Sequence, residues 1–166
     1  MRSRRHARHG DAHATTRPAW RGYNAPMPRI LAVDWGERRV GLAVSDPTGT
    51  IASPHRVVER GPDRDSDHAA LALLVAELGA DRVVVGLPLS LSGAAGPAAR
   101  GVTEEVEALA KVVAVPVETF DERLTTTTAE RTLKGRGLRG PARRRVVDKV
   151  AAAVMLQAWL DGGRGR

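Results

Sequence analysis

The chain has 166 residues, enough for one domain with a single core and little room for a second. It has no cysteine, which excludes disulfide frameworks, thiolate nucleophiles and sulfur-ligated metal centres together. Its formal charge of +7 is mostly a property of one end: residues 1–27 hold six Arg against one acid, while residues 28–166 carry 20 basic and 18 acidic groups. Hydrophobic residues make up 42% and aromatics only 3%, so Val, Leu, Ile and Ala must fill the core. No apolar run approaches the roughly 20 residues of a membrane span, and the Arg- and His-rich start lacks the apolar stretch of a signal peptide. A cytoplasmic protein with no membrane partner is expected.

Residues 1–27 are polar and aperiodic and read as a disordered basic tail; Met27 stands directly before the first strand-like run and is a second possible start. Residues 29–33, with the apolar run Ile30-Leu31-Ala32-Val33, predict a strand that runs into Asp34-Trp35-Gly36. Residues 39–45 predict its hairpin partner and residues 50–58 a third strand, after the turn Asp46-Pro47-Thr48-Gly49. The spacing of Leu71, Leu74, Val75 and Leu78 predicts a helix over 67–78, stopped by Gly79. Residues 82–85 predict a short strand whose run Val83-Val84-Val85 is wholly apolar, of the type buried on both faces. A Gly/Pro/Ser loop over 86–96 reads as a structural turn: it lacks the Lys-Ser/Thr ending of a phosphate-binding loop. A helix over 97–111, a strand over 115–120, and helices near 126–134 and 141–160 complete the order βββαβαβαα, leaving 162–166 as a short tail. Three antiparallel strands followed by parallel βα units give an α/β protein with a mixed five-stranded sheet flanked by helices, an order similar to that of the RNase H-like superfamily.

Three carboxylates stand where apolar residues would suit the pattern. Asp34 ends the run Ile30-Leu31-Ala32-Val33, and Glu122 follows the strand ending at Phe120, beside Asp121. Asp148 shares a helical flank with Ala152, Met155 and Trp159. An unpaired carboxylate on such a flank costs several kcal/mol, so something cationic is expected to compensate it. A divalent metal, Mg²⁺ or Mn²⁺, would do so, since these ions prefer hard oxygen ligands. Ordinary roles compete: a turn residue for Asp34, pairing with Arg123 or Arg131 for Glu122, and pairing with Arg144 or Lys149 for Asp148. Between Arg131 and Arg145 lie Arg131, Lys134, Arg136, Arg139, Arg143, Arg144 and Arg145 with no acid among them, a patch suited to backbone phosphates or simply to solvent. Arg123 fits either phosphate neutralisation or structural pairing. One of Thr125 to Thr128 is expected to cap a helix. His55 and His68 fall at loop or helix-edge positions and no His is assigned to catalysis.

Four ordered stretches resemble the YqgF (RuvX-like) family. They are Leu31-Ala32-Val33-Asp34-Trp35-Gly36 with Arg39-Val40-Gly41-Leu42-Ala43-Val44-Ser45-Asp46; Val83-Val84-Val85-Gly86-Leu87-Pro88-Leu89-Ser90; Asp121-Glu122-Arg123-Leu124-Thr125-Thr126; and Val147-Asp148-Lys149-Val150-Ala151-Ala152-Ala153. The resemblance spans about residues 28–161. Trp35 departs from it, where the family more often has Phe, as does Lys149, where a small or apolar residue is usual. The resemblance implies an RNase H-like nuclease related to Holliday-junction resolvases, acting in maturation of the 5′ end of pre-16S ribosomal RNA. It implies Asp34, Glu122 and Asp148 as catalytic metal ligands, with Asp121 a possible fourth. Its partners would be structured RNA or branched DNA, engaged as monomer or homodimer. Two alternatives remain: a resolvase acting on four-way DNA junctions, and a non-catalytic RNA-binding or transcription factor. A third reading, the actin and sugar-kinase plan with its Asp-x-Gly opening, needs two such domains and does not fit the length after Met27.

Overall fold

The unbroken apolar run Ile30-Leu31-Ala32-Val33, each residue buried, builds the central strand β1 (Arg29–Trp35) in the computed structural model, which describes residues 29–90, 93–121 and 140–162, with side chains from 146 onward in the last stretch. β2 (Arg39–Ser45) returns antiparallel to it, and β3 (Ala52–Glu59) runs antiparallel to β2 at the sheet edge. Pro54 is tolerated there because an edge strand needs only one row of donors. α1 (Arg64–Leu78), β4 (Ala80–Leu87), α2 (Pro97–Val112), β5 (Val117–Asp121) and α3 (Gly140–Asp161) follow. The sheet order is β3-β2-β1-β4-β5, with β1, β4 and β5 parallel. The expected mixed five-stranded sheet is therefore present.

Several boundaries move for local reasons. β1 runs two residues past the expected 29–33, so Asp34 and Trp35 lie inside the strand, paired with Gly41 and Val40. α1 starts at Arg64 and not at Asp67, because the Asp63 carboxylate accepts from the Ser66 backbone N–H and caps the helix. Gly79 ends it with φ 59°, the left-handed turn expected of a helix stop. β4 is eight residues, not four, and takes in Gly86 from the expected loop. β5 spans 117–121 against the expected 115–120, and β3 spans 52–59 against 50–58. The expected tails, the helix near 126–134 and the Thr125–Thr128 cap fall outside the described residues.

Strand alternation divides the core into two. Leu31 and Val33 of β1, Val40 and Leu42 of β2, and Val83 and Val85 of β4 meet Leu71, Leu74 and Val75 of α1 and Val102 and Leu109 of α2. On the other face Ile30, Ala32, Ala43 and Val84 meet Ala152, Ala153, Met155, Leu156 and Trp159 of α3. Gln157 locks α3 along its length: its Oε1 accepts from Ala52 N at 2.9 Å and its Nε2 donates to Thr50 O at 3.0 Å. Among the described residues no helix is long and apolar enough to cross a membrane.

The α1/α2 face also holds a polar cluster that the sequence pattern did not reveal. His68, expected at a helix edge, is buried, and its Nε2 lies 2.8 Å from Glu105 Oε2. Arg60 donates to both Asp67 and Glu105 at 2.9 Å, and its guanidinium lies 5.5 Å from the Trp35 ring centroid. Trp35 also packs tilted against the His68 ring, and its buried indole Nε1 has no hydrogen-bond partner among the described residues.

Candidate active site

Asp34 has the same parity as Ile30 and Ala32, so it continues the β1 face that α3 covers. α3 carries Asp148, Ala152, Met155 and Trp159 along one stripe, and Asp148 extends this stripe beyond the apolar contacts. Gly41 makes their meeting possible. It is the β2 partner of Asp34, and a Cβ built on it would stand 2.3 Å from the Asp148 carbonyl oxygen. Only a residue without a side chain lets the helix backbone approach that closely.

The two carboxylates share a cleft of about 320 Å³ with Gly36, Glu37, Arg38 and Arg39. Burial raises the Asp34 pKa from 3.8 to about 6, and the neighbouring negative charge of Asp148 adds to the rise. Asp148 has a cationic partner: Arg39 Nε donates to its Oδ2 at 2.7 Å. Lys149, one of the partners expected from sequence, makes no ion pair with Asp148 among the described residues, and the side chain of Arg144, the other, lies outside them. Arg39 is the residue that sequence reasoning missed. Its signal was available, since alternation puts 39, 41 and 43 on one face and the hairpin register puts Gly41 opposite Asp34.

Asp121 is placed elsewhere. It is registered with Leu87, which packs on the α1/α2 side, and shares parity with Val117 on that same side. Its neighbour Phe120 packs on the α3 side, where Asp34 lies. Glu122, Arg123, Arg131, Lys134, Arg136 and Arg139 lie outside the described residues; Arg143, Arg144 and Arg145 fall in the first part of α3, where only the backbone is described. Among the described residues no group of three or more His, Cys, Asp or Glu could enclose a metal ion; of the three candidate carboxylates described, the structure brings together Asp34 and Asp148 and not Asp121.

A mixed sheet of order 3-2-1-4-5, with a carboxylate on the central strand facing a second on the closing helix, is the RNase H-like class of α/β protein. The solved structure of T. thermophilus RuvC in complex with Holliday junction substrate has this fold, with a TM-score of 0.54 at 16% identity over 84% of this chain and 98% of that one. A second T. thermophilus RuvC structure gives 0.52, covering 81% and 96%. The model of the RuvX family, described as a Holliday junction resolvase, matches residues 28–162, and the chain belongs to this family of nucleases. A Mycobacterium sp. (strain KMS) relative named as a candidate pre-16S rRNA nuclease is 47% identical over 137 residues, 82% of this chain and 81% of its own length. A relative of the same name from Chloroflexus aggregans is 45% identical over 135 residues, covering 81% of this chain and 94% of that protein.

Proposed function

We propose that this protein is a divalent-metal-dependent nuclease that hydrolyses phosphodiester bonds of precursor 16S ribosomal RNA, in the cytoplasm, in maturation of its 5′ end. The observation that carries this is the convergence of Asp34 and Asp148 in one cleft, where burial and mutual repulsion leave a negative site only partly answered by Arg39. No ion pair reaches Asp34 among the described residues, and its oxygen donors are of the hard type that Mg²⁺ and Mn²⁺ accept. The donor set thus fits such an ion, held by Asp34 and Asp148. Glu122 is the third carboxylate we assign to it, and not Asp121, which is registered on the far face.

When bound, the metal supplies a nucleophilic water at neutral pH and stabilisation of charge on the leaving oxygen. The chain's own residues do the rest. Asp34 presents its carboxylate from a rigid central strand, and Gly41 lets α3 bring Asp148 alongside. Arg38, exposed on the cleft rim, together with the basic run from Arg131 to Arg145, holds the sugar–phosphate backbone. The family description and the RuvC likeness favour one second reading, a resolvase of branched DNA acting as a homodimer, since paired incisions need two sites.

A labelled precursor-rRNA fragment and a four-way DNA junction, incubated with Mn²⁺ or with EDTA, test both. The proposal expects metal-dependent cutting of the RNA by the wild type and none by Asp148→Asn, with both proteins folded. Cutting of the junction alone establishes the resolvase. Binding of RNA without cutting, by a folded wild-type protein in Mn²⁺, leaves the non-catalytic reading.

A further inference from the structure

Arg39 opens β2 immediately after the hairpin turn, where its backbone oxygen accepts from Gly36 N at 3.0 Å. The turn and the pairing of Arg39 with Glu59 fix its backbone, but its side chain is 22% exposed at the cleft. It can therefore change partners by side-chain rotation alone, without unpacking the core. The partner it now holds, Asp148, is one of the two carboxylates assigned to the metal.

The pairing answers an electrostatic problem of the metal-free protein. Two carboxylates face each other across Gly41, and Arg39 cancels one of the two charges. Once a divalent cation enters, the balance reverses: the metal competes with the guanidinium for Asp148 and repels it. A displaced guanidinium at this position still lines the cleft of Asp34 and Asp148, with several N–H donors in a fork that matches phosphate oxygens. Glu59, its cross-strand neighbour, is the competing destination.

We propose that Arg39 is a phosphate-binding residue held in reserve by Asp148: it neutralises that carboxylate in the metal-free protein and turns to the substrate's phosphate when a divalent cation takes its place. This rests on the reading of Asp34 and Asp148 as the metal-holding pair. Substrate grip and metal loading are thereby linked, since the protein presents its full set of cations to RNA only when loaded.

The test uses the full chain, as wild type and R39Q, with Mn²⁺ alone and then with a cleavage-resistant phosphorothioate RNA hairpin. Without RNA, R39Q binds Mn²⁺ about two- to fivefold more tightly than wild type, the order expected for removing a competitor held in a partly exposed ion pair. With Mn²⁺ present, the salt dependence of RNA binding falls by about one phosphate contact in R39Q. In EDTA the two proteins show the same salt dependence, because Arg39 is then engaged with Asp148. Unchanged or weaker Mn²⁺ binding by folded R39Q overturns the proposal, as does an unchanged salt slope in Mn²⁺, the result expected if Arg39 turns to Glu59. A wild type that binds Mn²⁺ and cleaves, beside an R39Q of equal affinity, overturns the exchange alone. A folded wild type and R39Q that bind no Mn²⁺ overturn the exchange and the metal-dependent reading together. If R39Q does not fold, R39K decides: it keeps the competing charge, so its Mn²⁺ affinity stays near wild type, but losing the fork weakens Mn²⁺-dependent RNA binding about tenfold. R39K with wild-type RNA affinity overturns the proposal.

Discussion

Replacing Gly41 with Ala tests the contact on which the site is built. The added Cβ would stand 2.3 Å from the Asp148 carbonyl oxygen and 2.7 Å from its carbonyl carbon. Both are about 1 Å short of ordinary van der Waals separation. Neither partner is a flexible side-chain tip: one is a central strand and the other the backbone of a 22-residue helix. Relief therefore requires α3 to lift from the sheet near Asp148, while Gln157 and the apolar contacts of Met155, Leu156 and Trp159 hold its other end. Overpacking of this kind costs about 1–3 kcal/mol, which lowers the melting temperature by about 3–10 °C for a chain of this size. The catalytic effect is larger, because a displacement of about 1 Å between reacting groups can reduce a rate about a hundredfold. Thermal melting by circular dichroism and single-turnover cleavage, both in Mn²⁺, measure the two effects. Gly101→Ala is the control: it lies within α2 with nothing within 4 Å of the new Cβ, and is expected to raise stability by about 0.5–1 kcal/mol without changing the rate. A Gly41→Ala protein that melts and cleaves like wild type would show that Asp148 does not depend on the close approach, and the account of the site would fail.

The raised Asp34 pKa makes the metal-free protein pH-sensitive. Burial first and Asp148 second place it near 6 in the fold, above its ordinary 3.8, so between these values the folded state binds the proton more tightly than the unfolded one. Its stabilising contribution is complete below about pH 4 and is lost as the pH rises through 6, by up to about 3 kcal/mol. Urea melts in EDTA from pH 4 to 7.5 should show this loss in wild type and not in Asp34→Asn; parallel curves would refute it. Mn²⁺ at a hundred times its dissociation constant should stabilise the wild type by about 2.7 kcal/mol, an increment that EDTA reverses and Asp34→Asn lacks; equal melting shifts in both proteins would locate the ion elsewhere. Arg60→Met leaves the buried Asp67 without its guanidinium, while Glu105 keeps Arg64 and His68, and should cost about 3 kcal/mol, read as a drop in denaturant midpoint; a loss below about 1 kcal/mol would mean that Asp67 does not depend on Arg60.

What the sequence made legible follows from what periodicity can encode. The unbroken apolar runs Ile30-Leu31-Ala32-Val33 and Val83-Val84-Val85 mark strands covered on both faces, as the two separate core clusters confirm. Leu71, Leu74 and Val75 mark α1 because they recur at helical spacing, and the same rule aligns Asp148 with Met155. Periodicity is blind to pairings between distant polar residues. Arg39 and Asp148 are 109 positions apart, and each alone resembles an ordinary surface charge. His68 was read at a helix edge because its polar neighbours Asp65, Ser66 and Asp67 obscure the buried side; only the arrival of Glu105 from α2 and Arg60 from the end of β3 makes burial affordable there. Gly41 did carry a signal, since a glycine inside a strand marks a close approach, though not by which residue.

The two polar clusters, one on each face of the sheet, differ in how their charges close. On the α1/α2 face Arg60 and Arg64 meet Asp67 and Glu105, with His68 bonded to Glu105, so each carboxylate has a cation within hydrogen-bonding distance. Such a cluster stabilises its own burial and calls for nothing further. On the α3 face two carboxylates share a cleft floor with Arg39 paired to only one of them, and the other is buried enough for its pKa to rise to about 6. Among the described residues the α1/α2 face satisfies its buried charge fully, whereas on the α3 face Arg39 does so for Asp148 alone. No cation among the described residues answers Asp34, an arrangement that lowers stability and that the divalent cation proposed above would offset.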